Sequence, residues 1–305
     1  MNSPLLTIAI PTYNHHELLL TQLTNLLPQL TNEISLLIID NNSVPSVSDY
    51  LALNNFKCDN LTIIRNQVNI GADANICRCF EICETEWLWV LSDNDYLKSD
   101  AVSFFLDSIN NNRDCVFINH NYEFNKTDIY TIGFDEFCKN CDYGRSFFIT
   151  ICGYNISKLK PYLIYYYKYL SSNHGQLLLV LKFLELNKTG KCLLTAQILT
   201  IENLPAEWSK FEFIENSRIV FTAFRAAALV TFNKYIGQQM HTSNLYNLIH
   251  ARIVENISLK SQLRSLIFIL DKSSFSQILQ KKYFRPLLIN IFIIFFPNMY
   301  KRLKG

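Results

Sequence analysis

Residues 86–97 read Glu-Trp-Leu-Trp-Val-Leu-Ser-Asp-Asn-Asp-Tyr-Leu, and the fold turns on them. Trp87 to Leu91 is an apolar run of strand length that stops abruptly on Asp93, Asn94 and Asp95. A buried strand with two carboxylates one residue apart at its C-terminal tip has two readings. In the first it builds a site, because open α/β sheets bind ligands outside the carboxyl ends of their strands. Two close carboxylates repel unless something positive lies between them, and a divalent cation with oxygen ligands meets that need. In the second, Asp-Asn-Asp is a polar turn that caps the next helix.

The sequence on either side of this stretch favours the first reading. Apolar, β-prone runs cover 5–10, 34–39, 61–65, 87–91 and 115–119. Helical patterns fill the gaps at 15–30, 46–55, 72–83 and 99–110. Strands that alternate with helices predict a parallel sheet with crossover helices, and strands apolar on both faces fit burial on both sides. Polar residues gather where the strands end, at 12–14, 40–43, 65–71 and 93–95. Four such tips on one rim supply carboxylates for ribose hydroxyls, base N–H groups or a metal. Arg65 and the N-terminus of the helix after Gly71 could meet phosphate. No GxGxxG and no GxxxxGK[ST] is present, which sets aside the dinucleotide-binding fold and the P-loop.

Composition bounds the rest. The chain has 305 residues, enough for one large domain or two smaller ones, with 49% hydrophobic and 18% charged residues. The net charge of +2 hides an asymmetry: residues 206–305 carry 14 Lys+Arg against 5 Asp+Glu. A basic tail on an acidic front suggests contact with phosphates, nucleic acid or an anionic membrane. The nine cysteines lie mostly inside apolar or helical patterns, and Cys138/Cys141 is a CxxC with no second pair at zinc-site spacing, so free thiols in a reducing cytosol are expected. No signal peptide is read at the N-terminus.

The segments "TIAIPTYN", "LLIIDNNS", "NQVNIGADAN" and "WLWVLSDNDYL" lie in residues 5–119 in an order and spacing that resemble the nucleotide-sugar-binding half of a family 2 glycosyltransferase. The chain most resembles bacterial enzymes of lipopolysaccharide, O-antigen or capsule assembly, such as abequosyltransferase-like proteins. The resemblance implies a GT-A fold: an α/β, mostly parallel sheet sandwiched by helices. It implies transfer of a sugar from a nucleotide diphosphate donor to a glycan or lipid-linked acceptor with Mg²⁺ or Mn²⁺, with inversion, and no nucleic acid partner. Pro11, Thr12, Tyr13 and Asn14 would line the base and ribose pocket, and Asp40 would accept from the base. Asn69, Gly71 and Asn75 would shape the loop and helix near the donor. Asp93 and Asp95 match the Asp-x-Asp motif: Asp95 would ligate the metal, and Asp93 would reach the ribose or the metal and its water shell.

The acceptor half departs from the family. Residues 121–142 read as loop, and 143–160 resemble the segment that closes the donor site. Many relatives open the next helix with Glu-Asp, whose Asp is the general base. Here that place holds Ser171, Ser172, Asn173, His174 and Gly175. His174 is the best local base, because imidazole titrates near neutral pH; Glu123 and Asp142 are substitutes the sequence does not place.

Residues 191–202 read as a final strand or two. A catalytic domain over 1–205, split at 120 into donor and acceptor halves, is expected to precede a helical, basic region over 206–305. Within that region, Pro286 to Pro297 is apolar but shorter than the ~20 helical residues a membrane span needs. Basic residues and Tyr283/Tyr300 flank it, which suggests a segment lying in a membrane surface. A cytoplasmic enzyme peripheral on the inner face of the membrane is the resulting expectation. Two other functions remain: a nucleotidyltransferase that makes nucleotide sugars, disfavoured because "PTYNHHELL" lacks Gly, Lys and Arg, and a non-catalytic nucleotide-sugar-binding module.

Overall fold

Four parallel strands, each stopped by a polar residue, form the half of the sheet that carries the rim. They are β1 (Leu6–Thr12), β2 (Ile34–Asp40), β3 (Leu61–Arg65) and β4 (Trp87–Val90). The structure is a computed structural model of the 305-residue chain, and it describes residues 3–120, 127–141, 148–170, 174–197 and 199. The remaining strands are β5 (Cys115–Asn119), β6 (Ile129–Ile132), β7 (Cys152–Asn155) and β8 (Lys191–Leu194). All eight join one sheet in the order β3-β2-β1-β4-β7-β5-β8-β6. The β1–β2, β2–β3, β1–β4 and β5–β8 pairings are parallel, and β4–β7, β5–β7 and β6–β8 are antiparallel.

Helices cross between the parallel strands as the expected α/β pattern requires. They are α1 (His16–Leu26), α2 (Val47–Leu53), α3 (Ala72–Ile82), α4 (Ala101–Asn111), α5 (Gly133–Asn140), α6 (Ile156–Leu159), α7 (Leu163–Lys168) and α8 (Gly175–Leu186). Helix α1 buries Leu19, Leu23 and Leu26, one stripe at helical spacing, and Pro28 follows where it tightens to a 3₁₀ turn. Helix α2 opens on a capping arrangement: the Ser46 hydroxyl accepts from the Asp49 N–H at 3.1 Å and donates to the Asp49 carboxylate at 2.6 Å.

The core between β4 and α4 is an aromatic stack. The Trp89 and Phe105 rings lie 4.1 Å apart and 6° from parallel, and His120 stacks on the other side of Phe105 at 5.0 Å. Gly153 on β7 pairs with Trp89, and a Cβ there would lie 2.7 Å from Phe105 Cζ, so only glycine admits the ring.

Three expectations need correction. Residues 121–142 are not all loop: 129–140 form β6 and α5. Among the described strands β6 is at the edge, paired to β8, and its Ile-Tyr-Thr-Ile turns Tyr130 and Ile132 to solvent and Thr131 inward, the reverse of the alternation that marks a half-buried strand. β3 is also an edge strand and is not buried on both faces; Thr62 and Arg65 are exposed. Of the final strand or two expected over 191–202, β8 ends at Leu194 and 195–197 are not strand, while 198 and 200–202 lie outside the described residues.

Helix α8 is apolar nearly all round, and all but three of its twelve residues are buried. Its first residue, Gly175, faces the fully buried Tyr166 ring, and a Cβ would come within 2.0 Å of Cε2. An exposed helical Gly→Ala change gains about 0.5–1 kcal/mol. Gly175→Ala should instead lose about 1–3 kcal/mol through overpacking, which urea denaturation would read; a gain would show that Tyr166 moves aside without cost.

The helices expected over 211–284 and the apolar segment 286–297 lie outside the described residues, as do Glu123, Asp142 and residues 171–173. Among the described residues no helix is long and apolar enough to cross a membrane.

Candidate active site

The rim is built by register. Thr12 is paired with Asp40 across β1 and β2, and Asp40 with Arg65 across β2 and β3. The ladder runs on past the tips, with the Asn41 N–H to the Thr12 carbonyl at 2.9 Å and the Asn66 N–H to the Asp40 carbonyl at 2.8 Å. On the other side of β1, the Leu91 N–H reaches the Ala9 carbonyl at 2.8 Å, so β4 brings Asp93 to the same edge. Pro11 comes just after this last β4 contact, where its missing N–H breaks no ladder bond.

Asp93 is clamped to the end of β1. The Thr12 hydroxyl donates to Asp93 Oδ2 at 2.6 Å, and His15 Nδ1 lies 3.1 Å from the same oxygen and 3.2 Å from Oδ1. An ionised carboxylate only accepts, so the His15 proton sits on Nδ1. That hydrogen bond to Asp93 holds the exposed His15 imidazole above its ordinary pKa. Asp95 is anchored elsewhere: its Oδ2 accepts from the hydroxyl of Thr150, a fully buried residue in the turn before β7.

Asp40 is buried and its carboxylate has three donors. Oδ1 accepts from the Ser43 N–H at 2.7 Å, and Oδ2 from the Val47 N–H at 3.2 Å and Arg65 Nη1 at 3.1 Å. It therefore fixes the 41–47 loop, which in turn holds Asn14: the Asn14 N–H donates to Ser43 Oγ at 3.0 Å, and the Val44 N–H to Asn14 Oδ1 at 2.9 Å. About four lone-pair directions exist on a carboxylate, so a nucleobase donor would add to this set, not replace it. Tyr13 is exposed at the same tip.

Asn69, Gly71 and Asn75 belong to one amide web. Asn66 Nδ2 donates to Asn41 Oδ1 at 2.9 Å and to Asn75 Oδ1 at 2.8 Å, while Asn41 Nδ2 donates to Asn69 Oδ1 at 2.8 Å. Asn75 Nδ2 ties the start of α3 to the Ile39 carbonyl at 3.1 Å. Gly71 has φ of 86°, and a Cβ there would meet nothing, so glycine is required by backbone conformation and not by space.

His174 precedes α8 and is half-buried, and desolvation pushes its imidazole down to about 3. A base of that strength takes a proton from a hydroxyl poorly near pH 7, so the arrangement does not suit the role the sequence offered it. None of the nine cysteines is joined in a disulfide. Burial drives Cys77 and Cys152 up to about 12, which keeps these thiols protonated and unreactive.

His15, Thr150, Asn41 and Asn66 were not among the expected site residues. His15 reads as the start of α1, and Thr150 lies 55 residues from the carboxylate it holds. Neither position carries a local signal of its partner.

The donor set fits a divalent cation. Asp93 and Asp95 are two buried carboxylates one residue apart at the tip of β4, and they supply hard oxygen ligands. That pattern suits Mg²⁺ or Mn²⁺, which take one or two carboxylates and complete their shell with phosphates and water.

Residues 7–156, just under half the chain, match the sequence model for Glycosyl transferase family 2. The protein is a glycosyltransferase. Among solved structures, S. aureus TarS 1–349 resembles this glycosyltransferase at TM-score 0.59 and 14% identity, over 88% of this chain and 79% of that one. TarS 1–349 in complex with UDP-GlcNAc gives 0.55 and 14%, over 88% and 87%. The mannosyltransferase PcManGT from Pyrobaculum calidifontis, in complex with GDP-Man and Mn²⁺, gives 0.52 and 9%, over 97% and 88%. At these identities the likeness speaks to the fold, which is that of GT-A glycosyltransferases. No curated protein matches the chain by sequence.

Proposed function

We propose that this glycosyltransferase moves one sugar from a nucleotide diphosphate sugar to a glycan or lipid-linked acceptor in bacterial surface polysaccharide assembly, with inversion and with Mg²⁺ or Mn²⁺. The observation that carries the reading is the shared edge: Thr12, Asp40 and Arg65 in register on β1–β3, with Asp93 hydrogen-bonded to Thr12 from β4. Ligands bind at that edge of α/β sheets.

Each part of the rim has a task in this scheme. The 41–47 loop and Tyr13 flank the base, and Asp40 holds that loop against Arg65. Asp93, fixed by Thr12 and His15, faces the ribose side. Asp95, with Asp93 beside it, would hold the cation. When bound, the cation neutralises charge that builds on the departing nucleoside diphosphate. The amide web keeps Gly71 and the N-terminus of α3 in place behind the diphosphate. The proton leaving the acceptor needs a stronger base than His174. The domain split near 205 and a membrane-facing basic tail complete the proposal.

A panel of nucleotide sugars, each with and without Mn²⁺, tests it by thermal melting. A ligand at ~100 Kd stabilises by about 2.7 kcal/mol, a rise of roughly 4 °C for a chain of 305 residues. One donor class should give that rise with Mn²⁺ and much less without it. No shift with any nucleotide sugar would remove the donor site; an equal shift without metal would remove the cation.

A further inference from the structure

We infer that Thr150 is a positioning residue that sets Asp95 for the cation; the inference rests on the metal reading above. Thr150 lies in the 3₁₀ turn Ile149–Ile151, which leads into β7, the antiparallel neighbour of β4, and is fully buried. Its hydroxyl is held from two directions. Oγ1 accepts from the Ser92 N–H at 3.1 Å, which takes up a lone pair and leaves the hydroxyl proton to point at Asp95 Oδ2. Its carbonyl accepts from Trp89 Nε1 at 2.6 Å, so the fully buried indole pins the turn itself. The His120 N–H fixes the next residue through the Ile151 carbonyl at 2.8 Å.

The chain Ser92 N–H to Thr150 O–H to Asp95 therefore runs in one sense. Ser92 and Asp95 belong to the same loop, and Thr150 spans it from outside. A carboxylate oriented in this way is set before any ligand arrives, so binding a cation does not have to freeze its rotamer. Asp93 has its own anchors in Thr12 and His15. The two carboxylates of the Asp-x-Asp pair are thus held by separate elements, β1 for one and the turn before β7 for the other. Losing an outer partner of a metal-ligating group typically costs ~10–100-fold in metal affinity.

Mn²⁺ binding to the full chain, followed by the EPR signal of free Mn²⁺ with UDP or GDP present, tests this without any turnover. Thr150→Val keeps the shape and removes the hydroxyl; Thr150→Ser keeps the hydroxyl; Asp95→Asn serves as the reference. Thr150→Val is expected to weaken Mn²⁺ binding ~10–100-fold, Thr150→Ser to stay close to wild type, and Asp95→Asn to weaken it at least as much as Thr150→Val. Melting curves on the same samples show that each variant is folded, and Thr150→Ala replaces Val if Val is not. A purely structural role would lower the melting temperature and leave Mn²⁺ affinity alone, and that result would overturn the inference. So would a Ser variant as weak as Val. Unchanged Mn²⁺ affinity in Asp95→Asn would instead overturn the metal reading, and the role of Thr150 with it.

Discussion

Asp95→Ala is expected to abolish metal-dependent transfer, with kcat/KM lower by ~10³-fold or more. The estimate follows from the several kcal/mol that a bound cation supplies to developing charge on a leaving phosphate, at a factor of ten per ~1.4 kcal/mol. Asp95 is a buried carboxylate on the rim, one residue from a second one that Thr12 and His15 already engage. The other rim acid, Asp40, is spent on Arg65 and two backbone N–H groups, so it cannot move in as a substitute ligand. Donor turnover measured over a Mn²⁺ titration is the check, with melting curves to show that the variant is folded. Turnover equal to the wild type, with the same Mn²⁺ dependence, would take the metal away from Asp95. A partial loss that high Mn²⁺ restores would leave Asp95 as one of several ligands.

The half of the sheet that carries the rim was legible because its signals are local. β1, β2 and β4, like β5 in the other half, are short apolar runs, and burial on both faces forces that composition. Each rim strand then stops on a residue that must meet water or a ligand: Thr12, Asp40, Arg65 and, after β4, Asp93. The antiparallel half was harder to read. β7 is Cys-Gly-Tyr-Asn, fully buried yet without an apolar run, because the stacked Phe105 ring demands Gly153 and the strand ends on Asn155, which caps α6. β6 fails for the opposite reason, since an edge strand can leave Tyr130 and Ile132 outside. The site divides along the same line. Residues that act where they stand in a motif, such as Gly71 or Asp93, could be named from sequence. His15 and Thr150 act through contacts made 78 and 55 residues away, and only the folded chain shows them.

Acid should destabilise this fold through His120 well before the carboxylates titrate. His120 is fully buried between Phe105 and Ser108; Nε2 lies 3.2 Å from the Ser108 hydroxyl, and Nδ1 has no partner among the described residues. Desolvation pushes its imidazole from 6.5 down to about 3. Between those values the unfolded chain binds a proton that the native chain refuses, so stability rises with pH and is lost as pH falls below about 6.5, at up to ~1.4 kcal/mol per pH unit. By pH 4.5 the loss from this one group is about 2–3 kcal/mol, a large share of the ~5–15 kcal/mol that holds a typical domain together. His174, also depressed but half-buried, acts in the same direction. Urea denaturation from pH 7.5 to 4.5 would read the slope. His120→Phe keeps a ring against Phe105 and removes the titrating group, so the variant should lose about one proton's worth of pH dependence whatever its stability at pH 7.5. Parallel curves for variant and wild type would mean that His120 accepts its proton in the folded state, and that the pocket beneath α4 is wetter than its burial implies.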